Sequence, residues 1–262
     1  MIMRLTVGFL SAFLATQAVA LDDPKVPLDD PLKSGMWSYH QINILGDPAK
    51  IRFDDRVVVK APAVAEDSFN VPVLVDATAL EDVTQMVFLV DYGPIPKILT
   101  YWPEQSEPKI SFRFKIDQAT PVRAAVQTSD GMWHVGSTVI DAAGGGCTAP
   151  AVAYAADDWE EHLGKVHGQV WPENGRLRMI VDHPMDTGLA DGIPIFIIED
   201  LTVSTPGAKS PLARLRLYEP VNEDPAFTLY FDKATLGTEI SVTGRDNNGN
   251  EIDAIIRAAA SQ

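Results

Sequence analysis

The chain reads as an all-β protein, two β-sandwich domains joined by a Gly/Ala-rich, partly helical linker. Three observations predict this. Apolar and polar residues alternate with period two in two separate blocks, turn residues punctuate those blocks at short intervals, and between them the composition shifts abruptly to glycine and alanine. A length of 262 residues matches two domains at a prior of about 150 residues each, and 46% hydrophobic with 22% charged residues is the composition of a folded globule.

Residues 1–20 hold one basic residue, Arg4, an apolar run from Leu5 to Leu14, and Ala18-Val19-Ala20, the small-x-small pattern of a leader cleaved before Leu21. The run is shorter than the roughly 20 residues a bilayer span needs, and no later segment approaches that length without a charge or proline. The expected product is exported, periplasmic and without a membrane anchor. Residues 21–32, rich in Asp and Pro, are expected to be an unstructured lead-in.

The first domain is assigned to residues 21–141. Short runs at 51–60, 71–76, 86–91 and 122–128 have strand character. Ile110, Phe112, Phe114 and Ile116 alternate with Ser111, Arg113 and Lys115, which places the first set on a core and the second in water. Ser129-Asp130-Gly131 then turns the chain into a hairpin with residues 132–140. In the second domain, residues 171–262, the sets Leu177/Met179/Val181, Ala213/Leu215/Leu217 and Phe227/Leu229/Phe231 repeat the theme. Turns are legible at Thr205-Pro206-Gly207 and at Asp246-Asn247-Asn248-Gly249-Asn250. Strand–helix alternation and a G-x-G-x-x-G are both missing, which argues against a parallel nucleotide-binding sheet. Residues 142–170 form an arm and linker, whose second part has helical spacing at Trp159, Leu163, Val166 and Val170. Asp157 with Glu160 resembles a capping box there, while Gly164 and Gly168 weaken the helix.

Charge and cysteine content narrow the function. With 21 Lys and Arg against 36 Asp and Glu the net charge is −15, which repels nucleic acid and anionic membranes. The one cysteine excludes an intramolecular disulfide, a multi-cysteine metal cage and c-type haem attachment. Cys147 follows Gly144, Gly145 and Gly146 and has no apolar sequence neighbour to pack against, so the expectation is an exposed, mobile thiol with a nearly normal pKa of about 8.5. Such a thiol suits a tether better than a catalytic nucleophile, which must be held against a base.

Gly144-Gly145-Gly146-Cys147, directly after the last strand of the first block, resembles the glycine–cysteine arm of SoxY, the sulfur-carrying subunit of bacterial sulfur-oxidation systems. Asp182-His183-Pro184-Met185-Asp186-Thr187-Gly188 is similar to the H-P-M-E-T-G signature of its partner SoxZ. Ile198-Glu199-Asp200-Leu201-Thr202-Val203 in the second block and Val71-Pro72-Val73 in the first extend the likeness. The resemblance implies a fused SoxY–SoxZ carrier of two immunoglobulin-like domains, akin to a branch associated with quinoprotein dehydrogenases. Cys147 would carry a small covalent cargo and present it to periplasmic oxidoreductases of cytochrome or quinoprotein type, itself neither an enzyme nor in need of a cofactor. His183, Pro184, Met185, Thr187 and Gly188 would form a structural loop against the first domain or its arm. Thr148 and Ala149 follow the cysteine and the chain continues, so the tip is a tethered loop where the family has a free tail.

Two other classes remain open at this point. A cysteine enzyme would place His134, His162 or His183 within hydrogen-bond reach of the sulfur; a structural or adhesion module would leave the thiol inert. A metal at His183 with Asp182 and Asp186 is disfavoured because no second histidine lies at ligand spacing, and His162 with His167 misses the i, i+4 geometry of a zinc pair.

Overall fold

A computed structural model describes residues 30–47, 50–155 and 157–258; the leader expected at 1–20 lies outside them. The first half contributes β1 (Ile51–Phe53), β2 (Val58–Lys60), β3 (Val64–Ala65), β4 (Val71–Asp76), β5 (Val83–Val90), β6 (Lys97–Trp102), β7 (Lys109–Phe114), β8 (Thr120–Thr128) and β9 (Trp133–Ala142). The second contributes β10 (Val166–Trp171), β11 (Arg176–Val181), β12 (Ile198–Ser204), β13 (Ala213–Leu217), β14 (Ala226–Tyr230), β15 (Glu239–Asp246) and β16 (Glu251–Arg257). The expected hairpins form: β8 turns into β9 through Ser129–Gly131, and β15 into β16 through Asn247–Asn250. Each half is an immunoglobulin-like β-sandwich, and no helix among the described residues is long and apolar enough to cross a membrane.

The halves share their sheets. One sheet runs β1-β9-β8-β5-β6-β13-β12-β15-β16 and the other β10-β11-β14-β7-β4-β2, so both cross from the first half to the second. At the seam Leu99 pairs with Leu217 and Tyr101 with Leu215 in one sheet, and Ile110 with Leu229 in the other. The inward residues of both halves, from Val73, Phe88 and Phe112 to Leu177, Leu215 and Phe227, form one continuous core. Edge strands that would otherwise present unpaired N–H and C=O groups cover each other. Arg214 in β13 reaches back across the seam to Glu104 at 2.6 Å and stacks on Trp102.

Three expectations are corrected. The lead-in is tied down where it ends: Asp30 and Asp91 each make paired bonds to the Arg123 guanidinium, at 2.7 and 2.6 Å for the closest contacts, with Trp37 stacked on it at 4.4 Å. Arg123 is fully buried, so this fork satisfies a charge that would otherwise be very costly to bury. The linker helix is one turn, α1 (Trp159–His162), because Gly164 takes the left-handed conformation at φ +74° and the chain then enters β10, whose start lies inside the expected linker. Gly168 sits in β10 where a Cβ would come 2.5 Å from the Arg178 carbonyl, so strand pairing there needs glycine. Lys115, expected in water, is buried, because β7 has ended at Phe114 and the next peptide bonds to the second half, Lys115 N–H donating to the Pro220 carbonyl at 2.6 Å.

The shared sheets predict one cooperative unfolding transition for both halves, with equal calorimetric and van't Hoff enthalpies. Leu215→Ala, in the buried seam, should lower that single transition by about 2–5 kcal/mol without splitting it; two resolved transitions would show that the halves are independent.

Candidate functional site: a seated cysteine arm

The arm leaves β9 at Ala142 and folds back between the halves. Gly144 adopts φ +94° with its backbone so close to the first half that a Cβ would lie 2.3 Å from the Asp117 carbonyl. At Gly146 a Cβ would lie 2.1 Å from the Ser68 carbonyl and 2.6 Å from that of Ile116. These two glycines therefore serve close backbone approach as well as freedom of movement. Gly146 N–H donates to the Ile116 carbonyl at 3.1 Å, and the next residue, Cys147, is only 3% exposed.

This overturns the expectation of an exposed thiol. The groups that cover Cys147 come from positions remote in sequence: its thiol faces the Lys115 carbonyl at 3.8 Å, and its own carbonyl accepts a 2.6 Å hydrogen bond from the Thr187 hydroxyl of the second half. Burial, with a smaller contribution from the Asp117 carboxylate, pushes the thiol up to about 11. None of His134, His162 and His183 hydrogen-bonds to the sulfur. His134 pairs with Asp54 at 2.7 Å, exposed His162 lies 3.4 Å from Asp158, and His183 is held inside its own loop. Among the described residues the sulfur has no histidine partner of the kind a cysteine enzyme is expected to show.

The loop that carries His183 is the other wall of the seat. His183 Nδ1 accepts the Met185 N–H at 3.0 Å, which leaves the ring proton on Nε2, buried and 3.5 Å from Asp246 without a hydrogen bond to it. Burial holds this imidazole down to about 4, so it is neutral at pH 7. The turn places Met185 at φ +51°, sends its carbonyl to the Lys115 ammonium at 2.5 Å, and offers its sulfur to the Ile198 N–H at 3.2 Å. Asp186 accepts the Ala151 N–H at 3.0 Å and the Tyr154 hydroxyl, while Glu223 takes Val152 N–H at 2.8 Å and Ala153 N–H at 2.6 Å. Gly188, at φ +75°, closes the turn against Ile195. Asp182 pairs instead with His167 at 2.8 Å, so Asp182, His183 and Asp186 do not converge on a common point.

Sequence reasoning missed Lys115, Tyr154 and Glu223. Lys115 lies near both the sulfur and Asp186, and burial lowers its pKa. Its ammonium has a carbonyl partner and, among the described residues, no carboxylate within ion-pair distance. Nothing in an alternating strand distinguishes such a lysine from a solvated one.

The fold and this site define a class: a two-domain β-sandwich chain whose junction holds a glycine–cysteine arm against a loop of the second domain. Residues 41–147 match the family model of sulfur oxidation protein SoxY and residues 172–255 that of sulphur oxidation protein SoxZ, the first match ending on Cys147 itself. The chain belongs to the SoxY–SoxZ type, with both domains in one polypeptide. Its fold is similar to that of the sulfur carrier protein SoxY from Chlorobium limicola f thiosulfatophilum, at 20% identity and TM-score 0.32, covering 35% of this chain and 83% of that one. It is also similar to a putative superoxide reductase from Thermotoga maritima, at 13% identity and TM-score 0.30, covering 36% and 95%. No curated protein matches it significantly.

Two measurements check the seat. With the thiol raised to about 11, alkylation by iodoacetamide at pH 8 should run about a hundredfold or more slower than for a peptide thiol. Gly146→Ala, which clashes with the Ser68 carbonyl, should recover most of that rate; equal rates in both proteins would mean the arm is not seated. The second concerns pH. Since the fold holds His183 neutral and the unfolded imidazole titrates near 6.5, its contribution to stability is complete above pH 6.5 and is lost as pH falls towards 4. Urea unfolding of His183→Gln should show a flatter profile than the native chain over that interval; parallel profiles would place the imidazole in water.

Proposed function

We propose that the chain is a periplasmic carrier that holds a small, sulfur-containing cargo covalently on Cys147 and presents it to oxidoreductases of cytochrome or quinoprotein type. The observation that carries this reading is the seat itself: a single cysteine at the end of a SoxY domain, held by a SoxZ domain, with no histidine hydrogen-bonded to its sulfur. The seated thiol is protonated at neutral pH and therefore a poor nucleophile. Reaction requires the arm to leave its seat, which breaks the Thr187 contact and the Gly146 backbone bond and exposes the sulfur to water and to a partner.

Loading is an oxidative conjugation. The Cys147 S–H and a cargo S–H bond break, one S–S bond forms, two protons leave to water, and two electrons pass to the partner oxidoreductase. The carrier supplies the sulfur and its position, and the partner supplies the electron acceptor and any base. Retraction of the arm afterwards returns the adducted sulfur towards Lys115 and the Met185 turn.

Intact-mass measurement of the protein isolated from its native export compartment tests the reading. The expected result is a mass increment on Cys147 that dithiothreitol removes and that is missing in Cys147→Ser. An unmodified chain from cells actively oxidising reduced sulfur, or an increment retained in Cys147→Ser, would overturn it.

A further inference from the structure

The outer face of the six-stranded sheet carries an arrangement that the arm does not use. Strand register places Arg178 opposite Thr228, Thr228 opposite Ser111, Ser111 opposite Leu74, and Leu74 opposite Lys60, one continuous row across five strands. Directly opposed residues in antiparallel strands point to the same face at Cα spacings of about 4.5–5.5 Å, so the two hydroxyls lie side by side in the middle of the row. Arg113 stands two residues beyond Ser111 on that face, about 7 Å along the strand. The row crosses the seam: Arg178 and Thr228 come from the second domain, Ser111, Arg113 and Lys60 from the first.

These cations are free to act on a ligand. Neighbouring Lys109 is neutralised by Asp76 at 2.7 Å, but among the described residues Lys60, Arg113 and Arg178 have no side-chain hydrogen bond or ion pair. On a chain of net charge −15, three unpaired cations over one groove are a local reversal of sign. The groove has a volume of about 460 Å³, and its floor between the charges is apolar, made by Ala61, Pro62, Pro72, Leu74 and Ala226. A second groove continues from Arg113 and Arg178 to Val152 and Glu223, where the arm is fastened. The three acids at that end each accept backbone amides: Asp67 that of Phe69 at 2.9 Å, Glu223 those of Val152 and Ala153, and Asp224 that of His183 at 2.9 Å.

From this geometry we infer that the seam face of the six-stranded sheet is a binding site for a small organic anion, a carboxylate or sulfonate with an apolar body. Its charged head lies between Arg113 and Arg178 and accepts hydrogen bonds from Ser111 and Thr228, and its body lies on the proline and alanine floor. The guanidinium pair selects against cations, and the floor selects against inorganic anions, which gain nothing from apolar surface. The site is complete only when both domains are joined.

Titration of the full chain with benzenesulfonate, sulfate and benzylamine, followed by amide chemical shifts, tests the inference. The expected result is saturable benzenesulfonate binding with shifts centred on Ser111 and Thr228, at least about tenfold tighter than sulfate, and none for benzylamine. Arg113→Gln with Arg178→Gln, both exposed positions, should weaken it about tenfold or more, checked against an unchanged circular dichroism spectrum. Cys147→Ser should bind as the native chain does, so that this site stands or falls apart from the carrier reading. Shifts centred elsewhere, equal binding of benzylamine, or undiminished binding by the double variant would overturn it. Binding of poly-glutamate with none of benzenesulfonate would make the face a protein-docking surface and equally overturn the small-anion site.

Discussion

Pairing of β6 with β13 and of β7 with β14 joins the open edges of two sandwiches in both sheets at once. A single shared ladder would leave the halves able to rock about it; two ladders on opposite sides of one core do not, since any rotation breaks hydrogen bonds in at least one sheet. Everything at the junction inherits this rigidity. Lys115, just after β7, and the Met185 turn after β11 belong to different domains, yet they stand within hydrogen-bond reach because the strands that precede them flank β14 in the same sheet. The cysteine arm, leaving β9, then has a formed cleft to settle in.

Two buried cations show what the fold does with charge. Arg123 is met by two carboxylates in fork geometry and stacks on Trp37, so its burial is balanced and its role is to fasten the segment around Asp30 to the back of the larger sheet. Lys115 is treated differently: its ammonium is given one carbonyl, with the thiol and Asp186 near enough to be felt through space. Its one carbonyl partner does not balance the charge as the carboxylate fork around Arg123 does.

How far the sequence can be read follows from where each piece of information lies. Strands such as β11 and β14 are legible because their inward residues, Leu177 and Met179, Phe227 and Leu229, alternate within a single segment. The same holds for the two hairpins, whose turn residues are local. The Cys147 environment is not legible, since its contacts come from Lys115 and Thr187, and Ser68 packs on the preceding Gly146, none adjacent to it in the chain. The absence of apolar neighbours in sequence suggests exposure, but at this site backbone carbonyls and a hydroxyl perform the burying. Sharing of the sheets is hidden for a related reason: nothing in an edge strand states whether its partner is solvent, another chain or the other half of its own. Gly146 signals flexibility by composition, whereas its neighbours show it to be a steric requirement.

The arm is fastened on both sides, to β9 before Ala143 and, through Ala151 and Asp186, to the second domain after Pro150. If those fastenings hold while the eight residues from 143 to 150 lift away, the cysteine moves outward at the apex of a loop whose two limbs are each about half that length. At about 3.5 Å per residue the apex rises roughly 14 Å. Two limbs travelling abreast need about 5 Å between backbones plus their own girth, so under the proposed carrier function a cavity that received them would have to be a slot at least two chains wide. The carrier's anatomy thus sets a dimension on a surface that belongs to another molecule: a partner shaped as a one-chain bore would meet the tip and stop it at the rim.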